Sequence, residues 1–203
     1  MSQTTLILGF ETSCDETAVA VVRDGHEVLS SVVFSQHEVH APYAGVVPEL
    51  ASRAHLERLV PVVEESMKQA NCGFDQIHAL AVGHQPGLIG SLLVGVSAAK
   101  TLSWTLNRPL IGIDHILAHL WAPCLDDQPI AFPALGLVVS GGHTALMSLT
   151  DPLTTRLLGQ TRDDAIGEAF DKAATMLGLP FPGGPSLERA ARDGNDQALS
   201  LPI

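Results

Sequence analysis

The sequence has 203 residues, of which 46% are hydrophobic and 16% charged, a composition typical of a globular chain that forms one large domain or two small ones. Its formal net charge of −11, from 11 Lys+Arg against 22 Asp+Glu, excludes a domain that holds nucleic acid through an overall basic field, so RNA contact would need a local patch or a basic partner. The three cysteines, Cys14, Cys72 and Cys124, are an odd number, which excludes a complete disulfide framework and favours a reducing compartment.

Three short apolar segments come first in the chain: Leu6–Phe10, Ala18–Val22 and Val28–Phe34. Segments of this length, separated by polar turn residues, predict three strands. Asp24 and Gly25 lie between the second and third segments and favour a tight hairpin. The sequence therefore predicts an antiparallel three-stranded unit at the start of the chain.

The polar loop after the first strand carries two acids, Asp15 and Glu16. In a cleft they could orient a water, a metal ion or a nucleophile, and in a plain turn they are simply solvated. The sequence contains no Walker A motif, no Gly-x-Ser-x-Gly elbow and no GxGxxG, so it gives no support to the reactions that those motifs serve.

The middle of the chain alternates helical and extended patterns. Helical periodicity runs from Val47 to Gln69, and Pro61 within it predicts a kink or a division into two helices. A buried strand is predicted at Ile77–Val82, an apolar helix at Leu88–Leu106 and another strand at Leu110–Ile113.

Neither a signal peptide nor a membrane span is predicted. The residues after Met1 lack the basic region of a signal peptide. The most apolar stretch, Pro86–Ala99, ends at Lys100 and is shorter than the roughly 20 residues that a membrane span needs. We therefore expect a cytoplasmic protein without membrane contact.

Asp114 is a predicted N-cap for a helix that reaches about Ala122. His115 and His119 are four residues apart on that helix, so both imidazoles project from one face, as two ligands of one metal ion would. With nine histidines in the chain, such a pair also arises by chance. Ile116 stands where a HExxH peptidase has its glutamate, and no third ligand can be identified in the sequence.

A linker-like stretch with three prolines, Pro123–Pro133, precedes a second strand–loop–strand pattern. Its parts are Leu135–Val139, the loop Ser140–Thr144 and Ala145–Leu149. The recurrence suggests two similar domains that aim their loops at one ligand, although strand–loop–strand is common in mixed proteins. A second domain of this size is too short to be complete. The predicted domains are residues 1–133 and an incomplete 134–203.

Two glycine-rich segments and a charged helix follow the linker. The paired glycines of the loop Ser140–Thr144 could cradle a phosphate with successive N–H groups, or could form a plain hairpin turn. In a helix predicted at Asp163–Leu177, Glu168 and Lys172 are spaced for an ion pair, whereas Asp171 could accept hydrogen bonds from a ribose. A stiff turn is predicted at Pro182-Gly-Gly-Pro185, before a short helix.

Six segments, in order and at matching spacing, resemble the TsaD family of tRNA threonylcarbamoyltransferases, once labelled O-sialoglycoprotein endopeptidases. They are Glu11–Thr17 (ETSCDET), Gly45–Arg53 (GVVPELASR), Asp114–His119 (DHILAH), Val139–Thr144 (VSGGHT), Gly167–Lys172 (GEAFDK) and Pro182–Pro185 (PGGP).

The resemblance implies an α/β chain with an actin-like ATPase (ASKHA) fold of two related domains, the second truncated. It implies transfer of a threonylcarbamoyl group from threonylcarbamoyl-AMP to N6 of adenosine 37 in tRNAs that read codons beginning with A. In bacteria it also implies two protein partners, an actin-fold paralogue (TsaB-like) and a P-loop ATPase (TsaE-like).

By position, the resemblance implies that His115 and His119 hold one divalent metal ion, Fe²⁺ with Zn²⁺ as the alternative. It assigns no catalytic side chain, so Asp15 and Glu16 stay the candidates. It implies an adenylate site lined by Val138, Val139, Ser140, Gly141, Gly142, Asp171, Gly184 and Glu188. Glu188 stands where many members of the family have aspartate.

Two departures from the family bear on function. Gln85 stands where the family has the first glycine of Gly-Pro-Gly-Leu; the extended backbone before a proline suits Gln, so the fold should tolerate it, and the effect on the loop is open. Family members also run well beyond residue 203 and carry an aspartate ligand and a substrate-binding asparagine there. We therefore expect the chain alone to bind metal weakly and to be inactive.

Three other functions compete with the transferase. A metalloprotease would need the general base that Ile116 replaces. A non-catalytic actin-fold scaffold would have no use for a histidine pair. A sugar-kinase-like ATPase of the same fold would consume ATP without tRNA.

Overall fold

The computed structural model describes residues 4–43, 45–125, 130–195 and 197–200. The chain packs as two compact units, Met1–Ala131 and Phe132–Ile203. Within each unit strands and helices are mixed, which confirms the predicted α/β class.

The first unit is built on a five-stranded sheet in the order β3-β2-β1-β4-β5. The strands are β1 Leu6–Glu11, β2 Glu16–Arg23, β3 Glu27–Ser35, β4 Ala79–Gln85 and β5 Leu110–Asp114. The pairs β1–β2 and β2–β3 are antiparallel, whereas β4 runs parallel to both β1 and β5. All five predicted strands are thus confirmed, and the carboxyl ends of β1, β4 and β5 lie side by side.

The hairpin between β2 and β3 depends on two residues with positive φ. Asp24 has φ of 52° and Gly25 has φ of 78°, the left-handed conformation that Asp and Gly tolerate best. Asp24 Oδ1 also accepts a 2.8 Å hydrogen bond from the Thr5 N–H, which holds the turn to the start of β1. The tight hairpin predicted from this dipeptide is confirmed.

Four α-helices complete the described part of the first unit: α1 His37–His40, α2 Pro48–Gln69, α3 Ile89–Leu106 and α4 His115–Trp121. Short 3₁₀ turns lie at Ala41–Tyr43, Phe74–Gln76 and Ala122–Leu125. Pro61 does not divide the helical segment, because α2 continues through it for 22 residues. The buried face of α2 around Leu59, Val62 and Val63 packs on the sheet and offsets the hydrogen bond that proline cannot donate.

The core of the first unit lies between the sheet and helices α2 and α3. The strand β1 contributes Leu6, Leu8 and Phe10, which alternate with less buried residues as a half-buried strand requires. Each fully buried leucine, such as Leu8 and Leu80, stabilises the fold by about 1.5–3 kcal/mol relative to an exposed one. The buried side chains of this core therefore hold the sheet, and with it the strand ends, in place.

Among the described residues, α3 is the one helix that is long and apolar enough, by length and composition alone, to cross a membrane. A single helix of this kind is a weak indication of a membrane span. Here α3 packs against β1, β4 and α2. The carbonyl of Ser91 accepts a 2.8 Å hydrogen bond from Thr12 Oγ1, and Gly95 leaves the space that the Thr12 side chain fills. These contacts make α3 a packed helix of the first unit.

The second unit has a three-stranded antiparallel sheet in the order β6-β7-β8 and two helices. Its elements are β6 Ala134–Val139, β7 Thr144–Asp151, β8 Thr154–Gln160, α5 Ile166–Met176 and α6 Gly183–Ala191. The strands β6 and β7 confirm the second strand–loop–strand pattern. The sequence reasoning missed β8, because most of its residues are exposed and show no alternation of apolar and polar side chains.

Three other predictions for this region need adjustment. The helix α5 begins at Ile166 and not at Asp163, because the Asp164 carbonyl accepts a 2.6 Å hydrogen bond from Thr161 Oγ1 in a preceding turn. The segment Pro182–Pro185 is not a separate turn, since Gly183, Gly184 and Pro185 form the first turn of α6. Of the predicted linker, residues 126–129 lie outside the described residues.

Candidate functional site

The helix α4 begins at the end of strand β5 with a side-chain cap. Asp114 Oδ1 accepts hydrogen bonds from the backbone N–H groups of Ile116 (2.9 Å) and Leu117 (3.1 Å), which confirms the predicted N-cap. His115 is therefore the first helical residue, and His119 follows one turn later. The two Nε2 atoms lie 3.1 Å apart, and the ring centroids are separated by 4.5 Å.

The spacing of the two imidazoles fits a shared metal ion. Two nitrogens bound to one ion at about 2.1 Å lie about 3.0 Å apart at a right angle and about 3.4 Å apart at a tetrahedral angle. The 3.1 Å between the Nε2 atoms of His115 and His119 falls in this range. Within the residues that the structure describes, no three His, Cys, Asp or Glu side chains form a cluster that could hold a metal ion. The histidine pair thus fits two neighbouring ligands of a site that needs further ligands.

The other ring nitrogen of His115 faces the β1–β2 loop. Its Nδ1 lies 3.1 Å from Ser13 Oγ and 3.3 Å from Glu11 Oε2. The second oxygen of Glu11 accepts a 2.6 Å hydrogen bond from the Ser13 N–H. The Glu11 carboxylate therefore contacts the His115 ring on the side opposite Nε2. The backbone N–H of Ser13 in turn holds this carboxylate in place.

The contact between Glu11 and His115 changes the acidity of both groups. The carboxylate of Glu11 raises the pKa of the His115 imidazole above its usual value, against the opposing effect of burial. Burial acts to raise the pKa of Glu11, but hydrogen bonds from His115 and Ser13 outweigh it, so the pKa of Glu11 is lowered. Both shifts favour the charged forms of an acid–imidazole pair.

The parallel part of the sheet brings Glu11 to this position. Glu11 is the last residue of β1, and Gly83 lies beside it in the neighbouring strand β4. A Cβ atom at Gly83 would collide with Glu11 Oε2, so the glycine leaves the space that the carboxylate occupies. Two residues after Glu11, the Ser13 carbonyl accepts a 2.8 Å hydrogen bond from the Leu88 N–H. This bond fixes the loop that follows β1.

Sequence reasoning missed Glu11 as a site residue and considered Asp15 and Glu16 instead. In the structure Asp15 is half-buried and Glu16 is exposed at the start of β2, while the carboxylate at His115 Nδ1 is that of Glu11. A signal was present, because Glu11 directly follows a buried strand. Ligand-binding groups of open α/β sheets collect at such carboxyl ends.

The loop between β6 and β7 in the second unit is held by hydrogen bonds between its own residues, and its two glycines face open space. The Ser140 N–H donates to the His143 carbonyl at 2.8 Å, and the His143 N–H donates to Ser140 Oγ at 3.0 Å. A Cβ atom built on Gly141 or Gly142 would meet nothing within 4 Å. The Ser140 carbonyl accepts a 3.1 Å hydrogen bond from the Gly167 N–H, so α5 anchors the loop. A ligand can thus approach the backbone of both glycines.

The other residues predicted to line an adenylate site differ in accessibility. Val138 is buried, with 6% of its surface exposed, whereas Val139 is 48% exposed. Gly184 is half-buried in the first turn of α6, and Glu188 is exposed on the same helix. The side chain of Val138 therefore belongs to the core of the second unit, and any contact it makes with a ligand goes through its backbone.

Asp171 has a structural partner that the sequence did not indicate. Its Oδ1 accepts a 2.6 Å hydrogen bond from the Gly183 N–H, the first N–H of α6. A Cβ atom at Gly183 would lie 2.5 Å from the Asp171 Cα. Asp171 thus holds α6 close to α5. The next residue, Lys172, forms the predicted ion pair with Glu168 (3.1 Å) and a second one with Asp164 (2.6 Å).

The sequence matches one protein-family model. Residues 27–203 match TsaD, tRNA N6-adenosine threonylcarbamoyltransferase. The chain is 54% identical over 198 residues to the tRNA N6-adenosine threonylcarbamoyltransferase of Moorella thermoacetica, covering 98% of this chain and 58% of that protein. The enzyme of the same name from Bacillus cereus strain ATCC 10987 is 50% identical over 202 residues, again covering 58% of its length. The chain thus spans less than two thirds of the length of these relatives.

Two solved structures share the fold. The chain is similar to YeaZ from Pseudomonas aeruginosa with a TM-score of 0.50 and 16% sequence identity, covering 77% of this chain and 68% of that chain. It is similar to the ROK hexokinase of Thermus thermophilus with a TM-score of 0.51 and 18% identity, covering 96% and 71% of the two chains. Both are actin-like ATPase-fold proteins, so the predicted fold is confirmed.

Proposed function

This chain belongs to the TsaD family, the tRNA N6-adenosine threonylcarbamoyltransferases. From that membership we propose that the protein, when it has the full length of its relatives, transfers a threonylcarbamoyl group to N6 of adenosine 37. The acceptors are tRNAs that read codons beginning with A, and the donor is threonylcarbamoyl-AMP. The observation that carries the proposal is the His115–His119 pair, whose Nε2 atoms lie 3.1 Å apart.

In this proposal His115 and His119 hold one divalent metal ion, Fe²⁺ or Zn²⁺, through their Nε2 atoms. When bound, the ion supplies a Lewis acid and a template for the oxygens of the donor. The Asp114 cap fixes the start of α4, and Ser13 Oγ and Glu11 Oε2 contact the Nδ1 of the His115 ring. Further ligands come from the part of the protein beyond this chain.

We propose that the donor's adenylate binds at the open face of Gly141 and Gly142. The absence of any atom within 4 Å of a built Cβ supports close approach of a ligand to both residues. The exposed side of Val139 and the first turn of α6, with Gly184, complete this surface. Asp171 contributes by holding that turn through its bond to the Gly183 N–H, which leaves its second oxygen for a ribose hydroxyl.

The reaction is an acyl transfer in which the atoms balance without a covalent protein intermediate. The N6 amine attacks the carbamoyl carbon of the mixed anhydride, and a C–N bond forms. The bond from that carbon to the phosphate oxygen breaks, AMP leaves and N6 loses a proton. Asp15 and Glu16 are the candidate acceptors of this proton. An exocyclic amine is a weak nucleophile, so positioning of the two substrates dominates the rate enhancement.

Two alternatives fit the residues less well. A metalloprotease lacks its general base, because Ile116, 8% exposed, packs in the hydrophobic interior where the glutamate would be needed. A non-catalytic actin-fold scaffold explains the fold but leaves the histidine pair and the carboxylate behind it without a role. We further propose a cytoplasmic location, and, in a bacterial host, an actin-fold paralogue (TsaB-like) and a P-loop ATPase (TsaE-like) as partners.

The test uses the chain completed to its relatives' length with the C-terminal part of the Moorella thermoacetica relative. Metal content, threonylcarbamoyl-AMP binding and transfer to a tRNA transcript are measured together with the two partner proteins. We expect one metal ion per chain, its loss in the double variant His115→Ala/His119→Ala, and loss of transfer on chelation. The exposed His26→Ala serves as the matched control and should retain both properties. A completed protein that binds neither metal nor adenylate would support the scaffold alternative.

A further inference from the structure

We propose that Glu11 is a positioning residue of the metal centre: its carboxylate accepts the Nδ1–H of His115 and thereby keeps the Nε2 lone pair directed at the metal position. This inference rests on the proposed function in naming the metal, but the tautomer that it specifies is a property of the chain itself. It assigns to Glu11 an indirect role, since the carboxylate acts through the imidazole and does not bind the metal.

The carboxylate beside Nδ1 favours one placement of the proton on the His115 ring. An ionised carboxylate only accepts hydrogen bonds, so Glu11 Oε2, which lies 3.3 Å from His115 Nδ1, favours the neutral imidazole that carries its proton on Nδ1. Ser13 Oγ, at 3.1 Å, can accept from the same N–H and is compatible with this placement. The Nε2 of His115 is then unprotonated and faces the Nε2 of His119 at 3.1 Å. Metal binding through Nε2 needs this tautomer.

The carboxylate is itself held in place, which a positioning role requires. The Ser13 N–H donates to Glu11 Oε1 at 2.6 Å, and Gly83 leaves room for Oε2 on the neighbouring strand. The residue is the last of β1, a strand whose Leu6, Leu8 and Phe10 are buried in the core of the first unit. An acid in a flexible loop could not fix the orientation of a ring. Glu11 and His115 thus meet because strands β1, β4 and β5 end at one edge.

Carboxylates that hydrogen-bond a metal-binding histidine raise the basicity of the ligand and fix its orientation, and their loss typically lowers metal affinity 10- to 100-fold. An ordinary surface ion pair would have no such effect. The position of the proton on His115 and the metal affinity of the site therefore separate a positioning role from a merely stabilising contact.

The first measurement needs no variant. In the ¹⁵N-labelled chain without metal, above the pH range in which imidazoles titrate, long-range ¹H–¹⁵N correlation spectra report which ring nitrogen of His115 carries the proton. The signal is assigned by its loss in His115→Gln. We expect the Nδ1–H tautomer in the wild type and a mixture with the Nε2–H tautomer in Glu11→Ala. A wild-type His115 protonated on Nε2 would overturn the proposal.

The second measurement is calorimetric titration of the same proteins with Zn²⁺. We expect affinity to fall about 10- to 100-fold in Glu11→Ala, by less in Glu11→Gln, whose amide oxygen can still accept, and not at all in Glu57→Gln, an exposed helical acid that matches the charge change. Unchanged affinity in a folded Glu11→Ala would refute the positioning role. If the wild type binds no Zn²⁺ even when completed to its relatives' length, the metal proposal fails, and the tautomer measurement still decides the role of Glu11.

Discussion

The imidazole of His55 donates its Nε2–H to the backbone carbonyl of Cys14 over 3.0 Å. Because a carbonyl only accepts, the proton lies on Nε2, and Nδ1 accepts the 2.7 Å hydrogen bond from Thr17 Oγ1. The ring is fully buried and neutral in this arrangement. A histidine on helix α2 thus contacts Cys14, in the loop that carries Ser13, and Thr17, in the strand β2 that follows this loop. Ser13 of the same loop contacts His115.

The same network extends to a second buried histidine. His40 Nε2 donates to Gln36 Oε1 at 3.1 Å, and its Nδ1 accepts from the Val47 N–H at 3.3 Å. The Gln36 amide nitrogen lies 3.3 Å from His55 Nδ1 and so links the two rings. Every member of this network has a partner, so the network specifies one conformation of the loop.

We predict that His55→Ala lowers the free energy of unfolding by about 2–4 kcal/mol. The substitution leaves the Cys14 carbonyl and the Thr17 hydroxyl without their partner and opens a cavity between α2 and the loop. Urea unfolding followed by circular dichroism measures the change. The exposed His26→Ala is the control and should change stability by no more than about 0.5 kcal/mol. Equal effects of the two substitutions would contradict the role given to His55.

We predict that His55 makes the stability of the protein depend on pH. Burial lowers the pKa of this imidazole, and the hydrogen bond to the Cys14 carbonyl only partly opposes it. Below the unfolded value of about 6.5, the unfolded chain binds a proton at this position that the native chain does not, so stability is lost as the pH falls. His115, with its raised pKa, acts in the opposite direction: the stability it contributes is present below about 6.5 and lost as the pH rises through its folded pKa.

The contribution of His55 is isolated by comparing wild type with His55→Gln. We expect the stability advantage of the wild type to shrink as the pH is lowered from about 7.5 to about 5.5, because only the wild type has this histidine to protonate on unfolding. Urea unfolding at several pH values measures it. A difference that stays constant, or grows in acid, would show that His55 is not held neutral by the fold.

Replacement of the N-cap should loosen the start of α4. We predict that Asp114→Ala costs about 1 kcal/mol of stability, because the N–H groups of Ile116 and Leu117 lose their acceptor. Asp114→Asn retains an accepting oxygen and is the matched control. Its loss of charge also tests the weaker contact at 3.4 Å between Asp114 Oδ2 and the amide nitrogen of Gln85. Thermal unfolding of the three proteins measures the differences.

Substitutions of two glycines in the second unit should distinguish a glycine that is needed for packing from a glycine that is needed for ligand contact. Gly183→Ala forces a Cβ against the Phe170 carbonyl and the Asp171 backbone, so we predict a loss of about 1–3 kcal/mol. Gly142→Ala adds a methyl group where nothing lies within 4 Å, and stability should change by no more than about 0.5 kcal/mol. Urea unfolding tests both.

The proposed adenylate site adds an expectation for the second glycine substitution. In the completed protein Gly142→Ala should weaken threonylcarbamoyl-AMP binding, because the methyl group occupies the side from which the ligand approaches the backbone. Calorimetric titration with the donor measures this. Unchanged binding in Gly142→Ala would place the adenylate elsewhere.

Much of the fold could be predicted because it depends on local patterns. Alternation and apolar runs predicted strands β1 to β7, and helical periodicity predicted α2 and α3. The cap at Asp114 and the pairing of His115 with His119 follow from helix geometry alone, since residues four apart project from the same face. The strand β8 was missed because its residues, from Thr154 to Gln160, are mostly exposed and carry no periodic signal.

What the sequence by itself determined is therefore the set of groups that local geometry brings together: the histidine pair, the capped helix and the open glycine turn. The tertiary structure decided which residues from distant parts of the chain contact these groups, such as Glu11 and Ser13 beside His115. Ser13 and His115 are 102 residues apart, and they meet only because β1, β4 and β5 run parallel and end at one edge of the sheet. Strand order follows from packing of the whole sheet. The position of Glu11 after a buried strand marks it as a candidate, but only the tertiary structure shows that its carboxylate lies beside His115.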